Sequence, residues 1–461
     1  MDRLDQTTLI QCYAGVGSLA YRPDLMLKIV LYEILEGRLS PRQWARDLTV
    51  HDALRWLGQG IRPSRSALYH FRDRIDQAVF ALHVQAIRQA IAEGFTTAEH
   101  GVLDGTTLRA CASRHRLVHQ DKLRNRLEEL SAAVDRDRAG APLEARPAWM
   151  ATTAAGRQGQ LQRYRRAAVQ LAERLAQNQG RPKDKRLPCK QVCVSLSDPE
   201  APLGRDKEKV FGPLYTVQFV VAPDALLILS FDAFAQPTDA GTLPPMLDRT
   251  AVVTGRMPAQ IDTDAGYCSV LDLQACQARG VQLVAPFQEN EFTEPKRVRG
   301  EDARIGKDQF RWLPEEQTYA CPQGHRLNYK GRERKRRRGE QTVVQHRYHC
   351  PAEHCQSCPL RTRCVRDPAK GRTVKRLEGE ELLEAHKAFM STPEAKQAQR
   401  RRGSVIERCF GDAKQHRNLR RLHGRGLPRV KAEVGLVVLA QTALTLGRLR
   451  KKAETPRENT A

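Results

Sequence analysis

The run of segments between residues 212 and 287 constrains the fold most. "GPLYTVQFVVAPDALLILSFDAF" (212–234) reads as two β-rich runs about a Pro223-Asp224 turn, a hairpin pattern. "DAGTLPPMLDRTAVVTG" then predicts a helix, "AQIDTD" a strand, "CSVLDLQACQARG" a helix and "VQLVAPF" a fully buried strand. Upstream, "HGVLDGTTLRA" (100–110) is a short apolar strand carrying Asp104, with Gly105 behind it. Strand, hairpin, helix, strand, helix, strand is the order of an α/β fold.

Other material surrounds this core. Residues 22–97 read as short helices: "PDLMLKIVLYEILEG" closes on Gly37, and "SPRQWARDL" opens with Ser40 as N-cap and Pro41 at N1. "RPSRSALYHFRDRI" starts another helix near Ser64, with Arg62, Arg65, Arg72 and Arg74 in or beside it. Short helices, tight turns and a basic last helix resemble a helix-turn-helix DNA reader, and equally fit a structural bundle with a solvated basic face. Two helical stretches near 121–135 and 158–178 form a helical-hairpin insertion, the second with an apolar stripe of Leu161, Tyr164, Ala168, Leu171 and Leu175. The expected units are a helical DNA-binding domain (1–98), a first piece of the core (99–116), the helical insertion (117–190) and the continued core (191–312). A Cys-rich basic insert (313–375), a C-terminal helical part (376–450) and a polar tail (451–461) follow.

Charge narrows the partner. The 461 residues hold 77 Lys and Arg against 53 Asp and Glu, a net +24 that favours a polyanion, most simply nucleic acid. The most apolar stretch, "VGLVVLAQTALTLG" (434–447), is short for a bilayer span and reads as a buried helix, and the N-terminus carries no signal-peptide pattern. The expected setting is cytoplasmic, with no membrane partner. Thiols stay reduced there, so five of the 12 cysteines crowded between Cys321 and Cys364 suggest metal before disulfides.

Three acidic positions stand out. Asp104 ends the first strand, Asp262 and Asp264 in "IDTDAGYCS" (261–269) end a later one, and Glu407 lies near the start of a C-terminal helix. Carboxylates at strand ends converge in the crevice where open α/β sheets place their sites. Three of them suit Mg²⁺, which takes oxygen ligands and keeps positions for water and phosphate. Asp104 also fits a turn, and "SVIE" (404–407) also reads as a capping box with Ser404 at N-cap and Glu407 at N3. Asp262 and Asp264 point the same way in an extended strand, so parity does not separate them. Lys414, seven residues beyond Glu407, shares its helical face.

"VLDGTTLRA", "DTDAGY" and "IERCFGDAK", in that order, resemble the DDE transposases of bacterial insertion sequences. The N-terminal "YRPDLMLKIVLYEILEGRLSPRQWARDL", the "CQSCPLRTRC" of the insert and the closing "LHGRGLPRVKAEVGLVVLAQTAL" are similar to one branch of them, so the resemblance spans roughly residues 20–450. It implies an RNase H-like catalytic core with an all-α N-terminal DNA-binding domain, a helical insertion and a Cys-rich insert. It also implies Asp104, Asp264 and Glu407 as the catalytic triad holding Mg²⁺ or Mn²⁺, because "DAGY" matches the small-Gly-aromatic pattern after the family's second Asp. Asp262 and Lys414 become accessory residues. The Tyr and Arg that precede the Glu in many relatives are not matched: Arg402 is one position out of register and the Tyr is absent.

The implied activity is metal-dependent cleavage at terminal inverted repeats, followed by attack of the freed 3′-OH on target DNA. The implied assembly is a homo-oligomer, dimeric on paired DNA ends and associated with the nucleoid. A domesticated nuclease and a non-catalytic DNA-binding derivative are the competing readings.

Cys355-x₂-Cys358 is a knuckle-like pair, and further thiolates would complete a tetrahedral Zn²⁺ site. The resemblance favours Cys321, Cys355, Cys358 and Cys364, with Cys350 as alternate; an iron–sulfur cluster and a metal-free buried set remain alternatives. The run Arg332, Arg334, Lys335, Arg336, Arg337 and Arg338 is expected at a hairpin tip, as a phosphate contact or a solvated charge run.

Overall fold

The structure is a computed structural model that describes residues 3–13, 20–141, 145–181, 183–287, 305–336, 342–365, 367 and 369–454. Six helices lead: α1 (Thr7–Gln11), α2 (Pro23–Leu35), α3 (Pro41–Val50), α4 (Asp52–Leu57), α5 (Arg65–Arg74) and α6 (Asp76–Ala92). Strand β1 (His100–Arg109) follows, then β2 (Leu117–Val118), helices α7 (Gln120–Arg138) and α8 (Ala154–Gln179), and β3 (Val194–Ser195). The core resumes with β4 (Leu203–Arg205), β5 (Phe211–Ala222), β6 (Leu227–Phe234), α9 (Leu243–Thr254), β7 (Gln260–Asp262), α10 (Val270–Ala278) and β8 (Gln282–Val284). The Cys-rich segment supplies β9 (Arg311–Leu313), β10 (Thr318–Ala320), β11 (Asn328–Arg336), β12 (Thr342–His349), α11 (Ala352–Gln356), α12 (Arg361–Cys364) and β13 (Thr373–Leu377). Helices α13 (Glu380–Met390), α14 (Pro393–Gly411) and α15 (Leu427–Glu454) complete the chain, with a π-turn (Asp412–His416) after α14.

The main sheet runs β4-β5-β1-β7-β8, with β6 also paired to β5. β1, β7 and β8 are mutually parallel; β5 is antiparallel to β1 and β6. The α/β order read from the sequence is therefore the order found. The expected hairpin is β5–β6, turning through Pro223-Asp224, and the expected helical hairpin is α7–α8. Leu161, Tyr164 and Leu171 of its apolar stripe are buried in a core of its own with Leu123, Leu130 and Val134 of α7.

One hydrophobic core joins residues of the N-terminal helices, such as Ile29, Trp44 and Phe71, to Val102 of β1, Phe219 of β5, Phe231 of β6 and the buried face of α15. α15 carries the apolar "VGLVVLA" run. Among the described residues it is the one helix long and apolar enough to cross a membrane, and most of that stretch is buried inside the protein. Gly435 sets how closely it packs: a Cβ there would stand 2.9 Å from Val79 Cγ1 and 3.0 Å from Phe231 Cζ.

The same junction holds a buried imidazole. His83 on α6 is 0 % exposed, lies edge-on to Phe231 and bonds the Leu229 carbonyl through Nε2 at 3.1 Å. Burial, with the Arg249 charge adding to it, pushes its pKa down to about 4. A depressed imidazole pKa favours the neutral form in the fold, so its contribution is present above the unfolded pKa and is lost as pH falls through the folded one. The window runs from roughly 6.5 down to about 4 and is worth about 3 kcal/mol. Urea unfolding at pH 7 and pH 4.5 should therefore show a smaller pH-dependent loss of stability in His83→Gln than in the wild type. Equal losses in both would remove His83 as the cause.

Candidate functional site

The site is built around the middle of β1. Asp104 pairs with Phe219 of β5, so both side chains face the same side of the sheet. Helix α14 covers that side: Phe410 stacks on Phe219 with centroids 4.7 Å apart, and Gln399 Nε2 donates to the carbonyls of Val284 (2.7 Å) and Thr263 (3.2 Å). The helix is thus tied to the ends of β7 and β8. Between those anchors Arg402 reaches Asp104, its Nη1 donating to Oδ2 at 3.3 Å. The other Asp104 oxygen accepts the Gly105 N–H at 2.7 Å.

Asp264 stands just past β7, at the N-cap of a single 3₁₀ turn over Ala265–Tyr267. Its Oδ1 accepts the Gly266 N–H at 2.7 Å, and a Cβ on residue 266 would come within 2.8 Å of that oxygen. A side chain at 266 would therefore displace this carboxylate. Asp262, two residues earlier, is 1 % exposed and bonded at 2.8 Å both to His100 Nε2 and to Gln260 Nε2. Those partners occupy both its oxygens, so its expected role beside the reaction centre is corrected to holding the start of β1 against β7.

A further carboxylate, Asp239 in the loop before α9, had no signal in the sequence beyond a turn-forming "TDAG". It approaches β1 from the side opposite α14. A Cβ on Gly105 would lie 2.1 Å from Asp239 Oδ1, and Gln218 Nε2 donates to the same oxygen at 2.6 Å. Burial raises the Asp239 carboxyl pKa, Gln218 opposes, and the charges of Asp264 and Asp104 raise it further. Burial likewise raises Asp104, against the pull of the Gly105 N–H, and the Asp264 charge adds to the rise. Lys207 and Arg402 partly offset this negative field at Asp104.

Lys414, in the π-turn that ends α14, points into the same region and donates to Thr106 Oγ1 on β1. π-turns inside helices often mark functional positions. Burial, with the nearby charges of Lys207 and Arg420, lowers the Lys414 amine to about 8.

Glu407 is placed differently from Lys414. α14 runs unbroken from Pro393 with Thr392 as N-cap, so Ser404 is mid-helix, donating to the Arg401 carbonyl, and the capping-box reading of "SVIE" does not hold. Arg402, Ile406 and Phe410 make the sheet-facing stripe, and one further residue turns Glu407 by about 100° to the exposed side. Glu407 is not among the hydrogen-bond partners of Asp104. Among the described residues, no three Asp, Glu, His or Cys side chains are gathered closely enough to hold a metal ion.

The five cysteines of the insert share one cavity, although no three of them come within metal-holding distance of one another. Cys321, Cys350, Cys355, Cys358 and Cys364 line one cavity, with His325 and His354 stacked at 4.4 Å on its wall. Burial pushes the Cys350 thiol up to about 12, and neighbouring Cys355, Cys321 and Cys364 add to the shift. Cys350, the expected alternate, is one of the two most buried thiols of the group, so the fold does not set it apart.

Of the expected DNA contacts, Arg62 and Arg65 are exposed at the start of α5. Arg72 is 5 % exposed and donates to Asp73 at 2.8 Å, which removes it from the surface set: its guanidinium is part of the packing. Arg332 and Arg334 are exposed on β11 of the β11–β12 hairpin, which also carries Lys335 and Arg336. Arg337 and Arg338 lie outside the described residues.

Residues 320–443 match the family model described as "Transposase DDE domain". The match covers about a quarter of the chain, including most of the cysteine module, α14 with Arg402 and Glu407, and Lys414, and it excludes Asp104 and Asp264. No curated protein matches the chain.

Proposed function

We propose that the transposase DDE domain carried by this chain combines with the β1 and β7 aspartates to form the centre of an insertion-sequence DNA transposase. The reaction is hydrolysis of a phosphodiester at each terminal inverted repeat, freeing a 3′-OH. That oxygen then attacks a phosphodiester of target DNA: one P–O bond forms and one breaks. The observation that carries the reading is that Arg402 and Lys414 reach one stretch of β1 at and beside Asp104, with α14 laid across it and Asp264 near enough for its charge to act on Asp104.

The strand arrangement supports an RNase H-like core. Leaving aside the three-residue edge strand β4, Asp104 lies on the first strand of the main sheet and Asp264 directly follows the fourth, as the resemblance implies. The donor chemistry suits a hard divalent cation: it is all oxygen, and the Asp264 charge adds to the rise that burial gives the Asp104 pKa, which a cation would oppose. Asp104 and Asp264 would hold it; Glu407, the third carboxylate that the resemblance implies, faces the exposed side of α14 here. Bound there, Mg²⁺ or Mn²⁺ would activate the attacking oxygen and stabilise the leaving one.

The chain's own residues do the rest. Arg402 fixes the rotamer of Asp104, and the Gly266 N–H fixes that of Asp264. Lys414, an amine that keeps most of its charge at neutral pH, is placed to hold a DNA phosphate. Arg62, Arg65, Arg332 and Arg334 offer outer phosphate contacts, and the partner is DNA, acted on at the nucleoid by a dimer that pairs two ends.

The cysteine cavity fits a soft cation by its donor chemistry. Burial, with the neighbouring thiols adding to it, raises Cys350 and Cys364, and ligand thiols would ionise on binding Zn²⁺. Cys321, Cys355, Cys358 and Cys364 are the proposed ligands of this structural site.

Two measurements test the reading. On DNA carrying the element ends, Asp264→Asn should abolish Mg²⁺-dependent cleavage. Asp262→Asn should cleave at a measurable rate while losing about 1–3 kcal/mol of stability, because buried hydrogen bonds to His100 and Gln260 are weakened; the reverse pattern would overturn the assignment. Metal analysis of the purified protein should find about one zinc per chain, and a folded, metal-free sample would refute the cysteine site.

A further inference from the structure

Asp239 is a carboxylate that the triad leaves unused. Gly105 pairs with Gln218 in the β1–β5 register, so both face away from α14 and from the Asp104 side chain. The space a side chain at 105 would fill is taken by Asp239 Oδ1. Gln218, 0 % exposed, donates to that oxygen at 2.6 Å, and its own Oε1 accepts the hydroxyl of Tyr267 at 2.5 Å. Tyr267 is the aromatic residue of "DAGY", three residues after Asp264, and is itself 1 % exposed.

Both motifs thus meet at Asp239. The Gly after Asp104 makes room for its carboxylate, and the Tyr after Asp264 aims the amide that holds it. Asp104 and Asp264 are the carboxylates that act on it electrostatically. A buried amide with both ends committed has one orientation, so the negative charge of Asp239 is fixed in place. Such an arrangement is costly as packing alone, since it brings like charges together that Lys207 only partly offsets.

We infer that Asp239 is a positioning charge for the proposed cation site, set by the Tyr267–Gln218 relay, and that it raises the affinity of the Asp104/Asp264 pair for a divalent cation. This rests on the function proposed above. Asp239 acts through the field at the pair, from the opposite face of β1. Asp239→Asn is the matching probe, because the amide oxygen can still accept from Gln218 while the charge is gone.

The experiment is Mn²⁺ binding to the full-length protein without DNA, by calorimetry or by the EPR signal of free Mn²⁺, with urea stability of each metal-free variant measured alongside. Asp239→Asn should weaken Mn²⁺ binding about tenfold, within the range seen when groups behind metal ligands are removed, without loss of metal-free stability. Tyr267→Phe, which frees Gln218, should weaken binding in the same direction by less. Asp262→Asn should leave the affinity unchanged. If Asp104→Asn weakens binding and Asp239→Asn does not, the role of Asp239 is refuted while the site stands. If Asp239→Asn loses stability with unchanged Mn²⁺ affinity, the relay is packing only and the inference fails. If neither wild type nor Asp104→Asn differs in Mn²⁺ binding, the underlying cation site itself is wrong.

Discussion

Strand β1 is the element on which the rest of the structure depends. It is held on one side by eight antiparallel pairs with β5 and on the other by parallel pairing with β7. Apolar residues of both its faces, Val102 and Leu103, are sunk in two different hydrophobic cores. A strand fixed that firmly can carry functional groups whose positions do not drift. Asp104, Gly105 and Thr106 are consecutive, and each receives one part of the site: Arg402, Asp239 and Lys414 respectively. The pairing register decides which side each serves.

The electrostatics follow from that placement. Burial raises the Asp104 and Asp239 pKa values, and repulsion among the partly buried carboxylates adds to the rise. Arg402, Lys207 and Lys414 answer part of the charge from α14, its π-turn and the loop after β4. A polyanionic strand brought to such a place would meet cations and carboxylates side by side. That arrangement suits a phosphate held by the protein and a divalent cation held between phosphate and aspartates. Under the proposed function, the overall +24 of the chain would act at longer range, drawing DNA in without choosing where it is cut.

Much of the fold was legible because burial writes itself into sequence period. The β5 run is apolar at nearly every position, as a central strand buried on both faces requires, and the α8 stripe recurs at helical spacing. Asp104 was singled out by its place on the first strand and Asp264 by the small residues after it; in the structure Gly266 admits the Asp264 carboxylate and Gly105 admits Asp239. What was not legible depends on tertiary contact. Ser404 and Glu407 form a good local cap signal, but α14 gains more by continuing back to Pro393, where Gln399 ties it to the sheet. Arg402 lies one position from the expected register and still reaches Asp104, because the face presented by a helix is set by its packing on Phe219 rather than by motif spacing. Asp239 sits in a loop whose sequence announces only a turn.

Under the proposed function Asp104, at the centre of β1, does chemistry on DNA rather than shaping a turn. Its isosteric amide removes the charge and keeps the hydrogen bond from Gly105, so the fold should survive. The direct test is Mg²⁺-dependent cleavage of DNA carrying the native element ends, comparing wild type with Asp104→Asn at matched folding and DNA binding. Cleavage by the wild type and none above background by Asp104→Asn is the predicted result; equal cleavage by both proteins would contradict the account.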